Sequence, residues 1–203
     1  MIKVNKLEPQ QYYIEHIKDK ALYKEIDADV KNRIKLDMLG REQNHVCCYC
    51  EIEIKNIEDS HIDHVIPQSM LNQGVKLPSG KADPGGLDYK NFLVSCNHKD
   101  TCGCKKQNAY PEKFINPTID DPKKYMAYNL FSGELKPIGD ETKISFEQTE
   151  KTLNLNNKRL ITYRKNFIAQ LYTYLSQPDA FIMFAKQYKE QPTLIQQFIE
   201  EML

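Results

Sequence analysis

All six cysteines of this chain lie between Cys47 and Cys104, with none in the 46 residues before or the 99 after. That crowding constrains the fold more than any other feature. A disulfide framework belongs to small exported domains, and the opening MIKVNKLEPQQYYIEH lacks an apolar segment followed by a small-residue cleavage site. Clustered thiols without an export signal point to a metal. Four of the five histidines, His45, His61, His64 and His98, share the same segment, and only His16 lies outside it.

The stretch CCYC supplies one C-x2-C pair, most simply Cys47 and Cys50. Two intervening residues let a tight turn aim both thiolates at one ion. A second pair must come from Cys96, Cys102 and Cys104. Cys96 with Cys102 is spaced C-x5-C, wider than usual. Cys48 and Cys104 remain as buried packing. A tetrahedral structural zinc would contribute about 10 kcal/mol or more to folding. That matters here, because the run MLNQGVKLPSGKADPGG holds four of the chain's eight glycines and two prolines, and so reads as a surface loop.

The remaining composition is ordinary. A chain of 203 residues allows one domain, or one with a sizeable attachment. Its 28 basic and 28 acidic residues cancel, so any nucleic-acid-binding potential must be local. No window of about 18 apolar residues occurs, so no membrane span is expected and the cytoplasm is the expected compartment.

Three segments follow from the pattern. Residues 1–45 read as helical, with Pro9 in a first turn and Val30, Ile34 and Met38 at helical spacing after Asp27 and Asp29. Residues 46–116 carry the cysteines and histidines. There EIEI and HIDHVI alternate like strands, with Ile62 and His64 on one face and His61 and Asp63 on the other. CGCKKQNAYPEKF reads as a short helix ending near Pro111. In residues 117–203, YMAYNLFSGELKPIG predicts a hairpin turning at Ser132-Gly133. Leu160, Phe167, Ile168, Leu171 and Leu175 line one helix, and two further helices open at Pro178 and Pro192. The fold class is therefore α+β.

Asp63-His64 carries the chemistry. An imidazole near pKa 6.5 can take a proton from water at neutral pH, and a carboxylate is a hard ligand suited to Mg2+. Together they would present an activated water and a cation to one phosphate.

In combination, the C-x2-C pair, Asp63-His64-x-x-Pro67, a Gly-Gly loop, Asn91, Cys96 and Cys102-x3-Lys106 resemble an HNH endonuclease with a zinc-stabilised ββα-metal fold. Closer still, the chain resembles the HNH proteins linked to retrons and to the Septu anti-phage defence system. It has their C-x-Y-C-E start from Cys47 to Glu51 and their Asn-x-Leu-x-x-Cys element from Asn91 to Cys96. INPTIDDP, YNLFSGELKP and TLNLNNKRLITYR continue the likeness, which spans roughly residues 40–165. The resemblance implies a zinc-stabilised nuclease core flanked by helices. His64 would be the general base and Asp63 a ligand of the catalytic Mg2+ or Mn2+. Asn91 would orient the His64 segment. Cys47, Cys50, Cys96 and Cys102 would hold zinc, and Lys106, with Lys105 beside it, would approach the nucleic-acid backbone. Many members place His or Asn directly after the last zinc cysteine, where this chain has Gly103. The second cation ligand is then sought at Asn108 or His98. His61 reads as a surface or supporting residue, and His45 as packing or capping.

The expected function is cation-dependent cleavage of nucleic acid, DNA first and RNA such as tRNA as the alternative. A non-catalytic zinc-binding interaction module is the reading from a different class. The resemblance also implies a P-loop ATPase partner. No G-x4-G-K-[ST] motif occurs in this chain, so ATP sensing would reside in that subunit. The C-terminal helices are the expected docking surface.

Overall fold

The computed structural model describes residues 1–175 and 177–202, and the chain is a mixed α+β protein. The helices are α1 (Gln11–His16), α2 (Ala28–Arg41), α3 (Gln68–Asn72), α4 (Cys102–Lys106), α5 (Lys143–Leu153), α6 (Lys158–Thr173), α7 (Pro178–Gln187) and α8 (Pro192–Met202). The strands form two antiparallel pairs: β1 (Ser60–His64) with β2 (Phe92–Cys96), and β3 (Met126–Tyr128) with β4 (Leu135–Pro137). Among the described residues, no helix is long and apolar enough to cross a membrane.

The β1–β2 ribbon sits at the centre. Its register opposes His61 to Ser95, Asp63 to Leu93 and His64 to Phe92. Phe92 to Ser95 are all buried, because both faces of β2 are covered. Helix α2 covers one side with Ile34, Met38 and Leu39. Its Lys35 is also buried, and its ammonium donates to the carbonyls of Ile57 and Ser60 at 3.0 and 3.1 Å, fixing the entry to β1. Gln43 reads the free edge of β2: its amide oxygen accepts from Val94 N–H and its amide nitrogen donates to Val94 C=O. A side chain thus supplies the ladder bonds that a third strand would otherwise make.

The C-terminal half folds back onto this centre. One apolar cluster includes Val4, Tyr13, Met38, Cys47, Phe92, Leu153, Phe167, Leu171 and Phe198, so residues from all three sequence segments share a core. Leu194, Ile195 and Phe198 of α8 are buried, which places the apolar face of that helix inside the chain's own core. The residues leading into α8 grip the cysteine turn. Gln191 Nε2 donates to Cys50 C=O, Thr193 N–H donates to Glu51 Oε2, and Glu53 N–H donates to Glu190.

The hairpin forms where its turn residues predict it. Asn129 Oδ1 accepts from Phe131 and Ser132 N–H, and Gly133 adopts φ +79. There a Cβ would stand 2.7 Å from Ile161 C=O, so glycine is needed on both counts. Four expectations change. Residues 1–45 are not helical throughout: residues 1–10 lie outside any helix, and Pro9 precedes α1 rather than sitting in its first turn, since Gln10 is the N-cap. EIEI at 51–54 is not a strand: its trace of pairing is an isolated Val46–Glu53 bridge. Glu51 takes φ +64, and its carboxylate is drawn inward to the Met1 ammonium, Tyr128 Oη and Thr193. The helix after Cys102 stops at Lys106 rather than near Pro111, because Gln107 turns to φ +49. The glycine-rich run begins inside α3, and its Leu77 is buried with Ile66 and Leu71, so the loop is anchored rather than wholly at the surface.

Candidate metal centre and adjoining polar site

Four thiols converge from three elements. The turn holding Cys47 and Cys50 closes through Glu51 N–H to Cys47 C=O at 3.0 Å and Cys47 N–H to Ile52 C=O at 2.9 Å. Cys96 ends β2, and its N–H donates to Cys47 Sγ at 3.4 Å. Cys102 opens α4 at φ +58. The wide C-x5-C spacing is met because residues 97–101 form a turn before the helix starts, closed by Thr101 N–H to His98 C=O. The sulfurs of Cys47, Cys50, Cys96 and Cys102 all lie within 4.8 Å of one another. Four close thiols of this kind could hold a metal ion such as zinc. Burial alone would raise the Cys47 thiol, but hydrogen bonds from Cys102, Cys48, Cys50 and Cys96 outweigh it and hold that thiol well below its ordinary value. Cys48 and Cys104 stand outside the cluster, as expected. Cys48 is buried beside it, and Cys104 Sγ sits 3.9 Å from His61 Nδ1.

At the other end of β1 lies His64, buried to 8 % exposure. Its Nε2 is 2.9 Å from the Gly86 carbonyl. A carbonyl only accepts, so Nε2 carries the hydrogen and Nδ1 keeps the lone pair. The Gln68 amide nitrogen, Nε2, stands 3.1 Å from the same ring nitrogen. The ring is clamped edge-on by Tyr23 and Phe92, with centroids 4.5 and 4.8 Å away. Desolvation lowers the His64 pKa and outweighs the Gly86 hydrogen bond and the Asp63 charge, which act to raise it. Gly86 sits at φ +66, where a Cβ would lie 3.2 Å from His64 Nε2. Gly85 passes so close to Ala21 that a Cβ would stand 2.1 Å from its carbonyl oxygen. Asp83 shapes this approach by accepting from Leu87 and Asp88 N–H.

Asn91 holds the segment after β1 from both sides. Its Oδ1 accepts from Ile66 N–H and its Nδ2 donates to Ile66 C=O, each at 2.9 Å. Val65 N–H adds a bond to the Asn91 carbonyl. The exit of the strand is therefore pinned like a short ladder, with His64 just before it.

Asp63 faces the opposite side. Tyr49 Oη donates to its Oδ2 at 2.5 Å, and Lys106 Nζ donates to Oδ1 at 3.2 Å. Lys106 corrects an expectation. It is 1 % exposed and its ammonium also donates to His64 C=O at 2.8 Å, so it does not face a nucleic-acid backbone. Lys105, one residue earlier on α4, is exposed and remains available for that role. Removing Lys106 would strand a buried carboxylate. Lys106→Met is expected to cost about 3–5 kcal/mol, read as a lower midpoint in urea unfolding of the metal-loaded protein.

The two remaining candidates are engaged elsewhere or exposed. His98 is half-buried, its Nδ1 accepts from Asp100 N–H, and its pKa is lowered by burial and then by Arg159. Asn108 is exposed. Among the described residues, neither is hydrogen-bonded to Asp63 or His64. Sequence reasoning missed Tyr23, Tyr49 and the inward role of Lys106. The spacing of Gly103 and Lys106 did carry a signal, since residues three apart share a helix face and that face meets the ribbon. Comparison of the chain with protein-family models and with curated proteins finds no match.

Proposed function

We propose that the chain is a zinc-stabilised endonuclease of the HNH type, cleaving phosphodiester bonds of DNA with a divalent cation. The observation that carries this reading is the setting of His64. Its tautomer is fixed by Gly86 C=O, its strand exit is pinned by Asn91, and a carboxylate stands at the preceding residue. Among the described residues His64 Nδ1 makes no hydrogen bond, which leaves its lone pair open to a water. Two antiparallel strands followed by a short helix, with Cys96 closing β2 and Cys102 opening α4, support the ββα-metal arrangement.

In this reading zinc belongs to the thiol cluster and holds the strands to α4. His64 Nδ1 takes the proton from the attacking water, while Gly86 C=O stabilises the imidazolium that results. Asp63 offers the hard oxygen ligand. Each of its oxygens accepts one hydrogen bond here, which leaves a lone pair on each for Mg2+ or Mn2+. When bound, such an ion would neutralise charge on the phosphate and the departing oxygen. Lys105 would contact the backbone, and a P-loop ATPase subunit would be the partner. Co-purification with that subunit giving no complex would remove the partner from the proposal.

Burial keeps His64 neutral at lower pH than a free imidazole, so the sign of the pH dependence follows. The base is active above its lowered pKa and lost below it. The acid limb of kcat/KM should therefore fall below the free-imidazole value of about 6.5, checked by a pH–rate profile of plasmid nicking. One observation favours the alternative of a non-catalytic zinc module: Lys106 already neutralises Asp63. An absence of cleavage in wild type, with full zinc content and normal stability, would favour that alternative.

A further inference from the structure

Gly103 and His61 occupy the same small volume. A Cβ built on Gly103 would lie 2.5 Å from His61 Nε2 and 3.0 Å from Ser95 Oγ, so any side chain at 103 would collide with the imidazole. The ring sits where it does for a traceable reason. Asn97 Nδ2 donates to the Glu58 carbonyl at 2.7 Å, which fixes the orientation of the Asn97 amide. Its Oδ1 then faces His61 Nδ1 at 2.8 Å. An amide oxygen only accepts, so Nδ1 carries the hydrogen. Nε2 is left with the lone pair, and it makes no hydrogen bond among the described residues. The side chain is half-buried, so the ring is reachable from solvent.

One ring nitrogen tied to an oxygen and the other free is the arrangement by which proteins orient a metal-binding imidazole. The neighbour offers the lone pairs that Tyr49 and Lys106 leave on its carboxylate, so the ion would enter Asp63 beside the Lys106 ammonium, 3.2 Å from Oδ1. His61 and Asp63 are alternate residues of β1 and so project from one face of the ribbon, about 6.6 Å apart along the strand. A nitrogen and a carboxylate oxygen form a donor set for a first-row divalent cation such as Mn2+.

We propose that His61 is the nitrogen ligand of the divalent cation at Asp63, delivered from β1 into the space that Gly103 leaves open. This replaces His98, whose Nδ1 is taken by Asp100 N–H, and Asn108, which lies exposed beyond the end of α4. The inference rests on the reading of this site as a cation-dependent nuclease. It assigns the ligand, and it explains why position 103 has no side chain.

The test uses zinc-loaded protein titrated with Mn2+, whose hard character keeps it out of the thiol cluster. Free Mn2+ is followed by its electron paramagnetic resonance signal, and the bound ion by nitrogen-14 spin-echo modulation. Wild type should bind one Mn2+ with the modulation of a coordinated imidazole. His61→Ala should weaken binding roughly 10-fold or more and remove that modulation, with zinc content and melting temperature unchanged. His61→Asn serves as a second variant if the alanine form is unstable, and should also lose the modulation. Asp63→Asn tests the site itself. Undiminished affinity and modulation in the His61 variants, with binding lost in Asp63→Asn, would overturn the ligand assignment and leave the nuclease reading standing. Wild type that binds no Mn2+ would overturn both.

Discussion

Cys47→Ala is expected to abolish the folded state rather than merely weaken it. Cys47 does more than offer a ligand: its Sγ accepts from Cys96 N–H, and its turn carries Glu51, which binds the Met1 ammonium, Tyr128 and Thr193. The four thiols come from a turn, a strand end and a helix start, so one ion would tie together β2, α4 and the docking point of α8. A structural zinc contributes about 10–16 kcal/mol in small metallo-units, comparable to or larger than the roughly 5–15 kcal/mol net stability of a whole domain. Chelation of wild type should therefore give the same outcome as the substitution. Circular dichroism and limited proteolysis would read it: loss of the cooperative melt and rapid cleavage of the described core. Cys104→Ala should leave both unchanged, because Cys104 lies outside the cluster. A cooperative melt at the wild-type temperature after zinc removal would refute a folding role for the ion.

His64→Ala is expected to lower cleavage by roughly 10²–10⁴-fold, the usual contribution of a positioned general base. The fold should survive. His64 is buried, but its ring is held only by the Gly86 carbonyl and the Gln68 amide at one nitrogen and packs against Tyr23 and Phe92. Truncation leaves a cavity, costing about 2–5 kcal/mol by analogy with other large-to-small changes. Zinc content, which depends on the thiols at the other end of the ribbon, should be unaltered. Activity within a few-fold of wild type would show that another group removes the proton.

Much of this centre is legible in the amino-acid pattern itself. Cys47 and Cys50 stand out because a thiol pair at short spacing has few other uses, whereas the choice of Cys96 and Cys102 over Cys104 comes from the family resemblance. Strand β1 is legible from alternation, the hairpin from Ser132-Gly133, and α2 and α6 from apolar periodicity. What the pattern hides depends on long-range contacts. Lys106 reads as a surface charge in a basic run, yet a one-turn helix facing the ribbon turns it onto Asp63, 43 residues away in sequence. Glu51 reads as part of an alternating strand, but its carboxylate is the partner of groups 50, 77 and 142 residues distant. Tyr23 closes over His64 because the glycine pair at 85–86 lets the loop lie against Ala21 and Tyr23. Local pattern assigns a glycine to a loop; it does not say which backbone the loop will touch. The ligand question turns on the same kind of fact, since Gly103 reads as a missing ligand and the fold fills its place with His61.

The most direct measurement is cleavage of supercoiled plasmid and of total tRNA by zinc-loaded wild type and His64→Ala, each with Mg2+, with Mn2+ and with EDTA. The account predicts nicking of the plasmid by wild type in either cation, none in EDTA, and nicking slower by roughly 10²–10⁴-fold for His64→Ala. Neither nucleic acid cut by wild type under any of these conditions, with or without the co-purified ATPase subunit, would contradict it, as would cutting by His64→Ala within a few-fold of the wild-type rate.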